Sequence, residues 1–446
     1  MISTVTDRHA ATKEWYRTLF EQNERTLNGR RSHLLQEYRR AAIDHLQELA
    51  FPTRKNEDWK YTNVSKLLQI QFEEGKPTSL NREAIAPFSF QGLQTYQLVF
   101  LNGQFDESLS SLEGLPEGVV VKNMEKAILD AGFHDIVEGF FSHWTQVESN
   151  PFVVLNAAFA KHGIFINIPK NVVLDKPIHL FNITAPSEEP MLFSPQILVV
   201  AEANSQVTLL ESYRALPGSE IPCFTNVVNR VVAKENAIVH HCKLQNESKN
   251  NFLINNTTVH QRCDSTYSSY AIDLGGKLVR NNLTSILKGQ GTMTNLYGVY
   301  LANGEQHIDN QTFMDHAFPH CNSNELYKGI LTDKARGVFN GKVIVRPDAQ
   351  KTNAFQQNSN LVLSKSAIMD SKPQLEIFAD DVKCSHGATV GQLNGEAVFY
   401  LRSRGLTDEN ARSLLQHAFL MEVIENIELQ EVRDSIENLV LEKFEG

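Results

Sequence analysis

Between Thr12 and about Leu49, apolar residues return at roughly helical intervals, at Trp15, Leu19, Leu34, Leu35, Tyr38, Leu46 and Leu49. The stretch has no proline and one glycine, so it predicts long helix. The pattern breaks at FPTRKNEDWKYTNVSKLL, where Pro52 stops the helix and Trp59 and Tyr61 lie amid charge. The ordinary expectation there is a loop whose aromatics cap the helical domain. Residues 96 to 165 are mixed: YQLVFLNG and GVVV read as strands, while KNMEKAILDAGFHDIVEGFFSHW and LNAAFA read as helices.

Past Gly163 the texture changes. No helical period holds for about 230 residues, and strand-length apolar runs keep returning: IFINI, QILVVA, QVTLLESY, NVVNRVVA, AIVHHCKL, FLINNTTV, KLVRNNLTSIL, NLYGVYLA, KVIVRP and NLVLS. Each is rich in Val, Ile, Leu, Thr or Tyr and bounded by Asn, Gly, Asp or Ser. A sandwich or barrel closes with roughly seven to ten strands, and these ten have weaker candidates between them. The excess favours a solenoid, in which each coil stacks on the last and corner Asn and Ser can ladder. No crisp repeat period marks the coils.

From Gly405 the helical period returns. Thr407 suits an N-cap, and Asp408 and Glu409 suit the positive end of a helix. One stripe carries Leu414, Leu415, Ala418, Phe419 and Val423; a second carries Val432, Ile436, Leu439 and Val440. From Asp408 onward, ten acidic side chains face three basic ones. Concentrated charge beside an apolar stripe fits a solvated helix face, and also a docking surface for a basic partner. The pattern thus predicts a mainly β protein: an N-terminal helical domain (1–95), a mixed α/β segment leading into the core (96–165), a parallel β-helix core (166–396) and a C-terminal helical region (397–446).

Composition narrows the chemistry. At 446 residues the chain is too long for one ordinary core, so its length predicts two or three domains, or one elongated repetitive core with appendages. Cysteines 223, 242, 263, 321 and 384 are few, odd in number and without CxxC spacing, against a disulfide framework or closed zinc site. The N-terminus lacks the character of a secretory signal and no apolar run is long enough to cross a bilayer, so the expectation is a cytoplasmic protein without a membrane contact. A net charge of -10 argues against nucleic acid, leaving proteins or metals as partners. The P-loop, GxGxxG after a strand, GxSxG and HExxH patterns are absent, so nucleotide chemistry belongs to another chain.

Asp309 and Asp315, in QHIDNQTFMDHAF, are the best paired carboxylates for polysaccharide chemistry of the kind parallel β-helices host. Their ordinary role is in turns or ladders. For metal ligation, KCSHGATVGQL places Cys384 two positions before His386, so that on a strand both side chains face one side. His240 and Cys242 repeat that spacing in reverse, while His320 and Cys321 are neighbours and would face opposite sides. From spacing alone, burial is the commoner role for either two-apart pair. Two donors also make only half a metal site, so Cys384 and His386 need others from a distant segment or another protein. Gly387 and Gly391 would let a second backbone approach closely.

These segments carry a resemblance. FPTRKNEDWKYTNVSKL, SNELYKGILTDKARGVFNGKVIVRPDAQKTNAFQQNSNLVLS and PQLEIFADDVKCSHGATVGQLNGEAVFYLRSRGL occur in the order found in the SufB/SufD family of SUF iron-sulfur cluster assembly proteins. The PTRKNEDWKYT motif and scarce cysteines resemble the SufD type more than the sulfur-accepting SufB type. The resemblance implies a right-handed parallel β-helix flanked by helical domains. It also implies pairing with a SufB paralogue, each of the two docking one copy of the ATPase SufC, which alone binds ATP. A nascent iron-sulfur cluster, or iron, would be held transiently at the SufB interface, with Cys384 and His386 implicated there. The region from Gly405, with Thr407, Leu414, Leu415, Phe419 and Val423, would dock SufC. A reduced flavin is a further expected component of the complex, with no binding residue assignable. In this setting the chain is a non-enzymatic scaffold, or a structural adaptor without cluster ligands. Without SufB, the exposed strand edge of a solenoid favours a homodimer.

Overall fold

Each turn of the chain lays one strand into each of two parallel sheets, giving a β-solenoid of about eight turns with helices at both ends. The structure, a computed structural model, describes residues 9–24, 33–76, 78–146, 148–161 and 163–445. The first sheet runs from Val120–Asn123 and Ile164–Ile168 to Arg336–Val345 and Ile368–Ile377. The second runs from Gln104–Ser111 and Tyr96–Leu101 to Asn353–Val362 and Lys383–Gly391. Strand Tyr96–Leu101 pairs in parallel with Ile178–Thr184, so the segment expected to lead into the core also supplies strands to it.

The repeat that the sequence hides is conformational. Between successive coils from Ile164 onward, paired residues lie between 26 (Phe252 to Leu278) and 33 (Ile164 to Ile197) positions apart, too uneven for a visible period. One corner nevertheless recurs. Asn171, Asn204, Asn236, Asp264, Gly291, His320 and Lys351 all have positive φ, between 55° and 70°. Asn, Asp and Gly are the residues that tolerate this left-handed conformation best. Asn236 Nδ2 donates to Asn204 Oδ1 (3.0 Å), and Asn204 Nδ2 to Asn171 Oδ1 (2.9 Å), forming a short amide ladder. The residue after six of these corners is small or compact and fully inside: Ser205, Ala237, Ser265, Thr292, Cys321 and Thr352.

The strongest apolar runs come from strands buried on both faces. Inside, Val207, Val239, Tyr267, Leu296 and Phe339 belong to one stacked core. Outside the first sheet, Phe224, Phe252 and Leu278 pack with Phe72 and Phe152 of the N-terminal region. Outside the second, Leu210, Leu244, Ile272, Val299 and Ile330 pack beneath helices Asp408–Ile424 and Gln430–Glu445.

The single long N-terminal helix expected from periodicity is two helices, Ala10–Asn23 and His33–Glu48, with residues 25–32 outside the described set. Their buried faces meet helix Pro151–Phe159, and Arg39 donates two hydrogen bonds to Ala160 O, at 3.1 and 2.7 Å. Trp59 is nearly buried: it packs on Phe152 and lies under the Arg280 guanidinium, 3.7 Å from the ring centroid. Thr62 Oγ1 sits between His307 Nε2 (2.8 Å) and Asp309 Oδ2 (2.5 Å). The charged aromatic motif is therefore a clamp between helical region and solenoid, which is why it mixes aromatics with charge.

Candidate functional site

The last strand, Lys383–Gly391, pairs among the described residues along one edge alone, with Asn353–Val362. Its register sets Cys384 beside Ala354 and His386 beside Gln356, and both partners are buried on the inner face. Cys384 and His386 therefore share the lumen side of the terminal rung. Cys384 is half-buried against the inner core, and His386 is exposed because no further rung covers it. Burial pushes the Cys384 thiol up, so a bound cation would be needed to hold it as thiolate near neutral pH.

The outer surface of this end is unusually apolar. Phe355, Ile368, Ile377, Phe378 and Val390 are exposed, as are Phe399 and Tyr400 on the following helix, Gly395–Ser403. Asn394 caps that helix by accepting from Glu396 N (2.8 Å). A thiol and an imidazole facing out of an uncovered lumen, rimmed by apolar side chains, can supply two donors to a cation and leave its other positions to a covering molecule.

The other sequence candidates are partnered elsewhere. His240 and Cys242 lie on the outer face under the C-terminal helices, with His240 Nε2 3.5 Å from Glu428 and Cys242 in the apolar seam. His320 occupies a left-handed corner, and Cys321 points inward, donating to Gly289 O (3.3 Å). Asp309 is held by Arg280 and Thr62, and Asp315 by both Arg346 nitrogens at 2.8 Å. Each carboxylate has its own structural cation. Among the described residues, the cluster of three metal-capable groups is His134, Asp135 and Glu138, on a partly exposed face of helix His134–Gln146, where the sequence offered no candidate.

Of the residues expected to dock an ATPase, Thr407 is the N-cap of helix Asp408–Ile424, accepting from Asn410 N at 3.1 Å. Leu414 is exposed and Leu415 half-buried. Phe419 lies under Lys328 Nζ, 4.4 Å from the ring centroid, and Lys328 also pairs with Glu422. Val423 is only 1% exposed and faces the solenoid, so it holds the helix down and offers no surface of its own.

Comparison with known proteins gives a consistent result. Residues 181–419 match the family described as "SUF system FeS cluster assembly, SufBD core domain", and residues 10–180 match "SufBD protein N-terminal region". An iron-sulfur cluster assembly SufBD family protein of Synechocystis is 36% identical over 420 residues, covering 93% of this chain and 92% of its own. Iron-sulfur cluster assembly protein SufD of Escherichia coli is 32% identical, covering 86% of this chain and 88% of its own. SufD of Bacillus subtilis is 27% identical, over 92% and 94%.

Proposed function

Since the chain belongs to the SufBD family of iron-sulfur cluster assembly proteins, we propose that it is the SufD-type scaffold subunit of a SUF complex, joined to a SufB-type paralogue and to the ATPase SufC. The observation that carries this proposal is the terminal rung: Cys384 and His386 sit together on the inner face of an uncovered solenoid end. The paralogue would cover the exposed apolar rim and complete the donor set. Iron and sulfide are cargo there, held transiently and passed on. Thiolate and imidazole suit iron and its sulfide clusters.

The scaffold itself does no covalent chemistry in this proposal. SufC would dock on the exposed side of helix Asp408–Ile424 around Leu414 and on Phe399 and Tyr400, with Thr407 fixing the start of the helix. Because Val423 and its neighbours seat that helix on strands Met293–Ala302 and Asn322–Leu331, a pull by the ATPase pair would act on the coils just below the terminal rung.

The test is bound iron and acid-labile sulfide in the anaerobically purified complex with SufB and SufC, wild type against the Cys384→Ala, His386→Ala double variant at equal complex yield. Loss of both elements from an intact complex is expected. Unchanged content would leave the chain as an adaptor, with the cluster ligands wholly in its partner.

A further inference from the structure

Two rungs inside the open end, the lumen holds a carboxyl group with no cationic partner among the described residues. Glu325, on Asn322–Leu331, is paired in register with Gln356, which is paired in turn with His386, so the three residues stack on one inner face. Glu325 Oε2 accepts from Thr312 Oγ1 (2.7 Å) and from Gln356 Nε2 (3.2 Å). Its Oε1 is buried with no partner among the described residues, and so is Gln356 Oε1. The two orphaned oxygens thus belong to groups already joined by one hydrogen bond. Gln356 Nε2 lies against Gly341 of the opposite sheet, so closely that a Cβ there would come within 2.2 Å of it.

An ionised Glu325 would leave a charged oxygen buried without a donor, which is costly. One proton on Oε1 resolves both orphans, because O–H can donate to Gln356 Oε1 while Gln356 N–H donates to Oε2. We propose that Glu325 is held as a neutral carboxylic acid in this reciprocal pair with Gln356, and that it is a charge compensator, releasing its proton to solvent when positive charge arrives at His386 and the terminal rung.

Burial raises the Glu325 carboxyl to about 7, with the Thr312 and Gln356 hydrogen bonds acting in the opposite direction. The titratable groups around it do not supply a counter-charge. Tyr327, next on the inner face, has its phenol pushed well up, chiefly by burial and then by Glu325 and Asp273. Tyr300 is likewise raised by burial. Burial lowers His316, engaged with Ser323, to about 4, so it is neutral. Asp273 is already paired with Lys243, and Asp315 with Arg346. The remaining approach for charge is His386, about 10 Å away at two strand spacings.

The pair can be tested without iron. Infrared spectra of the wild-type chain against Glu325→Gln, which keeps the hydrogen bonds but cannot ionise, isolate the carboxylic acid band of this one residue. His386→Lys places a fixed cation at the terminal rung. The acid band is expected at pH 6, fading around neutral pH in wild type and about one pH unit lower in the lysine variant, from one charge at about 10 Å in a medium of effective dielectric about 20. A wild-type carboxyl already ionised at pH 6, or a midpoint unmoved by His386→Lys, would overturn the proposal.

The link to iron rests on the proposed function. Metal analysis of the wild-type complex separates the two: absent iron with the infrared result intact defeats the scaffold role alone, and present iron with a failed infrared result defeats the compensator alone.

Discussion

At the scale of single residues, the lumen is unusual for its buried acids. Glu247 and Glu325 are both raised to about 7, chiefly by burial, with hydrogen bonds opposing the shift. Each also keeps one carboxyl oxygen without a partner among the described residues. The consequence for stability has a definite sign. The folded state binds these protons more tightly than the unfolded chain, so their full contribution is present below about 4.5 and is lost as pH rises through about 7. A group shifted this far can cost up to about 3 kcal/mol once ionised. Urea unfolding of Glu325→Gln should accordingly show a flatter profile between pH 5.5 and 8, with about 1–3 kcal/mol more stability than wild type at pH 8. Equal slopes for the two proteins would contradict a raised carboxyl at this position.

At the scale of elements, helix Asp408–Ile424 has two faces with separate work. Val423 and Leu420 sit in the seam against the second sheet, while Leu414 stands clear of it. Val423→Asp should bury a charge against apolar side chains and undock the helical pair, costing about 3 kcal/mol or more. Leu414→Asp should leave unfolding within about 0.5 kcal/mol of wild type while weakening capture of SufC. Amide exchange across residues 408–445 checks the first, and pull-down with purified SufC the second. Equal protection in both variants would mean that Val423 does not hold the seam, and equal SufC binding would remove Leu414 from the docking face. The ion pair of Lys328 with Glu422 and its contact with Phe419 tie the last two turns of the helix to the solenoid.

For the whole molecule, the two ends of the solenoid are finished differently. The first end is closed by antiparallel strands, Gln104–Ser111 on one sheet and Val120–Asn123 on the other. The other ends on Ile368–Ile377 and Lys383–Gly391, parallel strands whose outer edges carry no further strand among the described residues. Unpaired edges and an apolar rim are what proteins normally cover. The isolated chain should therefore self-associate end to end at micromolar concentration, and Val390→Lys should return it to monomer in sedimentation velocity runs. Dimers that persist in this variant would point to a contact elsewhere. SufB in excess should compete with the self-association, because both would use the same end.

The sequence alone determined the element types wherever burial made them loud. Each of the ten apolar runs beyond Gly163 marks a strand, four of them overrunning its end by one or two residues, since coils covered on both faces need apolar residues on both. Strands such as His307–His316, Asn322–Leu331 and Lys383–Gly391 were quieter, because polar residues fill part of their lumen side or no helix covers them. The Cys384 and His386 pair was legible from two-residue spacing and the family resemblance. Its neighbours Gln356 and Glu325 were not, being 30 and 61 positions upstream of His386 and brought beneath it only by strand register. Local periodicity records which face a residue occupies within its own strand. Which residues stack above and below it depends on the length of every intervening coil, and that only the tertiary structure decided.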